Sequence, residues 1–513
     1  MTEYKAPQLS QAEIDEAFSD TYRALWNDDE QRRIDADIEK HRKADGLFQL
    51  PASAAGREVR VEQLSHDFVF GAHIFNFDQL GSDERNARYK ELYGTLFNSA
   101  TIAFYWKQLE LEEGRPRFRA EYRDTAEFWN RCGDPQPHGR RPAVDPVVEF
   151  CLSKGIRLHG HTLVWGNNRW QIPDWLINKI PFDYLKKANL EHNPKDNTLL
   201  SEATGCAFEG MSAKEMEKAL PEYTTLINTL TAKRIIEIAM RYGDKIDSWD
   251  VVNESAGDFG RGGMVPGSKL CKSWYGPMPG DYTFRGFKIA EGVFPPEAKL
   301  NINDYNLGED YVRQVRSLRA RGCKIDIMGA QMHLFDPQIC RDIADGKSLV
   351  QSPREVRETI GRIGRAGLPI HLSEITITSP GGDRRGQVVQ AEIARNLYRL
   401  WFSHPATEAI VWWNLVDGTA AYAPLGSEEG ENRLRAGLVG YDFAPKPAFR
   451  TLERLIRTEW RTETGFDYAD GGDNRFHGFY GDYEVEVRYD GGSFTRRITL
   501  SKDGVREFTL SPD

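Results

Sequence analysis

Trp249-Asp250-Val251-Val252-Asn253-Glu254 is a run of aromatic and β-branched residues that stops abruptly on an amide and a carboxylate. Such a run has the composition of a strand covered on both faces, and the preceding Ile235-Ile236-Glu237-Ile238-Ala239-Met240 has helical spacing. A helix feeding a buried strand is one α/β unit. The carboxyl at its tip is suited to acid or base chemistry, because apolar walls favour the neutral form and raise its pKa. A lone Glu at a strand end is more often a cap or an ion-pair partner, so a function for Glu254 requires a second group.

Outward from this unit the same alternation recurs. Apolar runs at 68–75, 97–104, 156–165, 298–305, 325–333, 368–374 and 409–414 read as strands, interleaved with helical patterns at 88–96, 145–154, 230–242, 282–294, 310–321, 353–366 and 387–402. About eight strands alternating with helices predict an α/β fold, a (β/α)8 TIM barrel. A doubly wound sheet would announce its ligand site with a Gly-rich loop, and no G-x-G-x-x-G follows the first strand. The expected domains are 1–66, an N-terminal helix and hairpin preamble; 67–460, the catalytic barrel; and 461–513, a small antiparallel β domain. The long insert at 176–226 reads as a lid or cleft rim. The preamble's hairpin is expected from 48–50 and 58–63, and the C-terminal domain from period-two alternation at 483–489 and 497–500.

In a barrel of this kind, active groups gather at the C-terminal ends of the strands. That rule selects His159 and His161 after the third strand, Asn253 and Glu254 after the fourth, Asn303 and Asp304 after the fifth, Gln331 and His333 after the sixth, Glu374 after the seventh and Trp413 after the eighth. Polar groups where six apolar runs stop make a constellation. Glu254 and Glu374 would face one another across the mouth of the barrel. Glycoside hydrolysis with retention needs two carboxyls about 5–5.5 Å apart, one to protonate the leaving oxygen and one to attack the anomeric carbon; inversion needs a wider gap.

Composition narrows the partners. The 513 residues carry a net charge of -10, with 40% hydrophobic and 28% charged residues, and the pI is about 5.7. Neither a nucleic acid nor an anionic membrane is favoured, and no run of ~18 apolar residues suggests a membrane span. Twelve Trp and 20 Tyr offer faces for stacking on sugars. The six cysteines form no C-x-x-C pair; Cys151 and Cys323 sit in apolar segments and read as buried thiols. No metal site or cofactor is called for. The start MTEYKAPQLSQ lacks the features of a signal peptide. Localisation is left open: cytoplasmic if the chain is complete as written, secreted or periplasmic if a signal was removed. Oligomeric state is likewise left open.

Six motifs together carry a resemblance over roughly 68–456: Gly160-His161-Thr162-Leu163-Val164-Trp165, Trp249 to Glu254, Asn303-Asp304-Tyr305, Gly329-Ala330-Gln331-Met332-His333, Ser373-Glu374-Ile375 and Pro445-Lys446-Pro447-Ala448-Phe449. The chain resembles glycoside hydrolase family 10, the endo-β-1,4-xylanase family. The resemblance implies a retaining β-glycosidase acting on xylan, xylo-oligosaccharides or related β-glycosides, with Glu254 as acid/base and Glu374 as nucleophile. It further implies that Asn253 binds the sugar 2-hydroxyl and that His333 orients Glu374. Lys107, His161, Trp165, Gln331 and Trp413 would line the subsite of the attacked sugar.

Departures from the family pattern are concentrated on the glycone side. Where the family reads Thr-Pro-Glu-Asn-x-Met-Lys-Trp, this chain has Thr101-Ile102-Ala103-Phe104-Tyr105-Trp106-Lys107-Gln108, so Ala103 and Phe104 replace the Glu and Asn that bind the next sugar. Gly166-Asn167-Asn168 replaces His-Ser-Gln, Ala421 beside Tyr422 replaces a second tryptophan, and Thr376 stands where an Asp commonly follows the nucleophile. Loss of hydrogen-bonding groups changes which substrate is discriminated. The expected substrate is therefore a decorated xylan oligosaccharide or an aryl or other β-glycoside as much as plain xylan. Two other readings compete: a sugar-binding protein with little catalysis, and a metal-dependent barrel hydrolase using His159 and His161.

Overall fold

The computed structural model describes residues 9–119, 121, 141–167, 170–181, 184, 208, 210–273, 276–421 and 423–512. Cys132, Cys206, Asn168, Tyr422 and residues 185–207 of the expected insert lie outside them.

Eight parallel strands close into a barrel in strict sequence order: β1 (Val69–His73), β2 (Ser99–Ala103), β3 (Arg157–Trp165), β4 (Ser248–Asn253), β5 (Lys299–Asp304), β6 (Ile327–Gln331), β7 (Ile370–Ile375) and β8 (Thr407–Trp412). This is the expected (β/α)8 barrel. The strands form because their β-branched and aromatic residues are covered on both faces: Trp249, Val251 and Val252 of β4 are fully buried. Glycine makes room at two points. A Cβ on Gly160 of β3 would meet the Trp249 ring at 2.3 Å, and one on Gly329 of β6 would meet the Asn303 side-chain oxygen at 2.3 Å. The helix before β4 starts earlier than its periodicity suggested, at Pro221, and runs to Tyr242. Proline in the first turn forfeits no intrahelical bond, so the end of the insert is helical.

The two ends of the chain form one β unit. Lys43–Gln49 pairs antiparallel with Arg475–Phe479 and in parallel with Glu507–Thr509. Glu58–Gln63 lies between Glu463–Asp467 and Gly481–Tyr489, and the latter pairs with Gly492–Leu500. The expected hairpin within the preamble is thus corrected: its two strands enter different sheets and find their partners in the C-terminal segment. Alternation buries Val59, Val61, Tyr483, Val485 and Val487 in a core of their own. This unit lies at the end of the barrel remote from the strand tips that carry Glu254 and Glu374. Arg42, at the end of the helix Asp28–Arg42, donates to the carbonyl of Thr407 at the start of β8 at 2.7 Å, and its guanidinium covers the Phe68 ring. The preamble helices rest on the barrel helix Arg384–Ser403, where Asn396 donates to the Tyr22 hydroxyl at 2.9 Å. Cys151 and Cys323 are buried free thiols, as are Cys271 and Cys340. No helix among the described residues is long and apolar enough to cross a membrane.

Candidate active site

The strand tips deliver the carboxyls through two different devices. After β4 the backbone of Glu254 enters the left-handed region, φ +50°, which residues with a Cβ seldom occupy. The turn is secured from β5. The Glu254 N–H donates to the Asn303 carbonyl at 2.8 Å, while Asp304 accepts from the N–H groups of Ser255, Ala256 and Asn306, each at 2.8 Å. Burial outweighs those donors and pushes the Asp304 carboxyl up to about 6. Asp304 therefore holds the turn beneath Glu254 instead of facing the cleft. Glu374 lies within β7 and needs no special backbone.

Side-chain amides tie the two carboxyls into one network. Asn303 donates to Glu374 Oε1 at 2.8 Å and to Asn253 Oδ1 at 2.9 Å, and its own oxygen accepts from the Ser373 hydroxyl at 2.5 Å. Gln331 donates to Glu254 Oε1 at 3.1 Å and reaches Asn253 Oδ1 at 3.4 Å. His333 Nε2 lies 3.2 Å from Glu374 Oε2, and its Nδ1 lies 2.8 Å from the hydroxyl of Thr376. The Thr376 hydroxyl thus orients His333 at the position where an Asp is usual.

Burial is the largest influence on Glu254, and the charge of Glu374 adds to it; together they push its carboxyl up to about 8. Two carboxyls that face each other across little solvent cannot both ionise freely. Beneath them, Asp250 Oδ2 receives both His159 Nε2 at 2.9 Å and His161 Nδ1 at 2.8 Å. Burial opposes the charge on His161, but Asp250, Glu374 and Glu254 outweigh it and hold the imidazole above its ordinary value. His161 Nε2 stands 3.9 Å from Glu374 Oε1. The second nitrogen of His159 meets Ser248 at 3.0 Å, so both of its ring nitrogens are engaged. No group of three or more His, Cys, Asp or Glu among the described residues could hold a metal ion.

The aromatic residues divide the mouth of the barrel into two unlike sides. Trp413 sets its edge or face against His73, Phe75, His161 and His333, with ring centroids 5.0–6.0 Å apart. Beside it Phe75, Ala103, Tyr105 and Trp165 form a separate buried cluster. Phe104 is corrected by the structure. It points out of the barrel against Trp249 and Tyr242, because neighbouring strand residues face opposite ways, and only Ala103 and Tyr105 of that stretch belong to the cleft. The ammonium of Lys107 is paired with Asp174 at 2.8 Å. On the other side an open cleft of about 600 Å³ is lined by Glu254, Gln331, His333, Tyr305, Phe335 and Val350.

Of the residues named from sequence, the structure gathers Glu254, Glu374, Asn253, Gln331, His333, His161 and Trp413 around one point, places Trp165 in the adjoining aromatic cluster, and sets Lys107 in an ion pair. Sequence reasoning did not give Asn303 its bridging place, nor Tyr105 and Phe75 theirs. The signal for the last two was strand alternation from His73 and from Ala103.

The profile of glycosyl hydrolase family 10 matches residues 84–454. Endo-1,4-beta-xylanase B of Thermotoga neapolitana is 24% identical over 331 residues, covering 62% of this chain and 76% of that protein. Anti-sigma-I factor RsgI6 of Acetivibrio thermocellus is 27% identical over 364 residues, covering 70% of this chain but 36% of that protein. Endo-1,4-beta-xylanase C of Paenibacillus barcinonensis is 25% identical over 356 residues, 66% of this chain and 25% of that protein. The chain therefore spans about a third and a quarter of the last two. The crystal structure of native xylanase 10B from Thermotoga maritima aligns with 77% of this chain and 96% of its own, at 19% identity and a TM-score of 0.49.

Proposed function

This chain belongs to glycosyl hydrolase family 10, and from that premise we propose that it is a retaining β-glycoside hydrolase acting on xylan, xylo-oligosaccharides or related β-glycosides. One observation carries the reading. Two carboxyls at the tips of β4 and β7 share a single amide network, yet one is pushed up to about 8 while the other has an amide and an imidazole against its two oxygens.

In the first step Glu254, protonated at neutral pH, gives its proton to the glycosidic oxygen as that bond breaks. Glu374 attacks the anomeric carbon from the opposite face and forms a glycosyl ester. Forming the ester removes the Glu374 charge, which had added to the effect of burial on Glu254; Glu254 then takes a proton from water as the water attacks the same carbon and releases Glu374. Asn253 meets the sugar 2-hydroxyl in this reading, where hydrogen bonds strengthen in the oxocarbenium-like transition state. His161, Gln331, His333, Trp165 and Trp413 surround the attacked sugar in this reading, and Lys107 borders it through Asp174. The test is hydrolysis of linear xylan, xylo-oligosaccharides and aryl β-xylosides by the wild type and by Glu374→Ala. Activity that survives the substitution rules out Glu374 as the nucleophile.

A further inference from the structure

We infer that the glycone side of this site holds one sugar only, so that the enzyme removes single residues from the non-reducing end of its substrate. The inference rests on the glycosidase reading above and deepens it.

A sugar subsite in a cleft needs an exposed aromatic face or unoccupied polar groups aimed into open space. Along Phe75, Ala103, Tyr105 and Trp165 neither is offered, and the partly buried Trp170 and Trp413 stand at the margin of that cluster. Tyr105 sits against His161, whose Nε2 is 3.9 Å from Glu374, with ring centroids 5.4 Å apart. Phe75 packs edge-on against Tyr105 at 5.6 Å, and Trp165 against the other side of Tyr105 at 5.9 Å. The guanidinium of Arg141 covers both Phe75 and Tyr105, at 4.9 and 5.3 Å from their centroids. The four members of the cluster are 2–8% exposed. Ala103, the residue whose side chain enters this wall from β2, brings a methyl group and no hydrogen-bonding group. The space beyond the attacked sugar is thus filled by rings packed on rings.

On the other side, Glu254, which must touch the leaving oxygen, lines the open cleft. There Tyr305 is 65% and Phe335 40% exposed, and Phe335 stacks on His333 at 4.1 Å. Space and exposed aromatic surface therefore lie where the leaving group goes. A closed wall behind the attacked sugar and an open one ahead of it is the arrangement of an exo-acting enzyme.

Paired chromogenic probes applied to the full chain decide this: para-nitrophenyl β-xyloside against β-xylobioside, and β-glucoside against β-cellobioside, with product identification on xylotetraose. For the sugar that is hydrolysed, the monoside is expected to exceed the bioside in kcat/KM by about tenfold or more, and xylotetraose, where it is cleaved, gives xylose as its first product. Tyr105→Gly opens the wall and is expected to shift the ratio toward the bioside; should that variant not fold, the wild-type ratio and first product still decide. Preference for the bioside, or a two-sugar first product, overturns this inference and leaves the glycosidase reading standing. Hydrolysis of no probe overturns both.

Discussion

The side-chain amide of Asn303 stands 2.8 Å from Oε1 of Glu374 and donates to it, while the same nitrogen reaches Asn253 at 2.9 Å. One residue from β5 thus sets the positions of groups on β4 and β7, and charge-assisted bonds of this kind are the stronger ones. Asn303→Ala is expected to lower kcat/KM by about a hundredfold, the range seen when one positioned donor is removed from a reacting centre. Steady-state kinetics beside circular dichroism checks it. A loss below about threefold would mean that Asn253 and Glu374 hold themselves.

Glu254 carries the pH dependence. With its carboxyl pushed up to about 8, kcat/KM is expected to fall as pH rises through that value and the proton donor is lost. Stability follows the same proton. Both folded and unfolded chains hold it below the ordinary value of 4.5, and between 4.5 and about 8 only the folded chain does. The contribution of Glu254 to stability therefore declines with rising pH across that window and levels off above it. Glu254→Gln should flatten this slope relative to wild type in chemical denaturation at pH 5, 7 and 9. Equal slopes would place the titrating group elsewhere.

Asp304 supports the turn that presents Glu254, accepting three backbone N–H groups. Asp304→Ala orphans them in a buried place and is expected to cost about 1–3 kcal/mol of stability. It should also reduce kcat more than KM, since the acid loses its placement. A thermal melt and a kcat/KM comparison test both parts, and an unchanged kcat would show that Glu254 is held without it.

Phe104 offers a test of strand facing. Because it packs outward on Trp249 and Tyr242 with no exposed surface, Phe104→Asn is expected to destabilise the chain by about 3–5 kcal/mol or more, through a lost ring and a buried amide. It should not improve binding of a second glycone sugar. Tighter inhibition by xylobiose in this variant would contradict the facing.

The barrel was legible in the sequence because each buried strand writes itself as an apolar run and each tip as an abrupt polar stop. The pair Glu254 and Glu374 followed from those stops and from the spacing of the motifs around them. Facing was harder. Ala103 and Phe104 are adjacent, and nothing in a fully apolar stretch says which one looks inward until the register of β2 against β3 is known, Ala103 beside His161. The ion pair of Lys107 was not legible, because its partner Asp174 lies 67 positions away at the start of a short helix. Asn303 read as one strand-end amide among several, since a bridging role depends on distances between three strands. The β unit was legible as strands but not as pairs: alternation with period two says that a face is buried, never against what.

That pairing fixes an order of events. The strands Lys43–Gln49 and Glu58–Gln63 emerge from the ribosome early, yet their hydrogen-bonding partners are made about 400 residues later; the bond from Thr462 to Gln63 spans 399 positions and that from Arg57 to Asp490 spans 433. Closing so long a loop is entropically costly unless something folds in between and brings its ends together. The barrel does this, since its own first and last strands lie side by side, β1 against β8. Ribosome-bound chains that stop before Glu463 should accordingly hold a folded barrel with two unpaired strands at its base, open to proteolysis and to pairing with neighbouring chains.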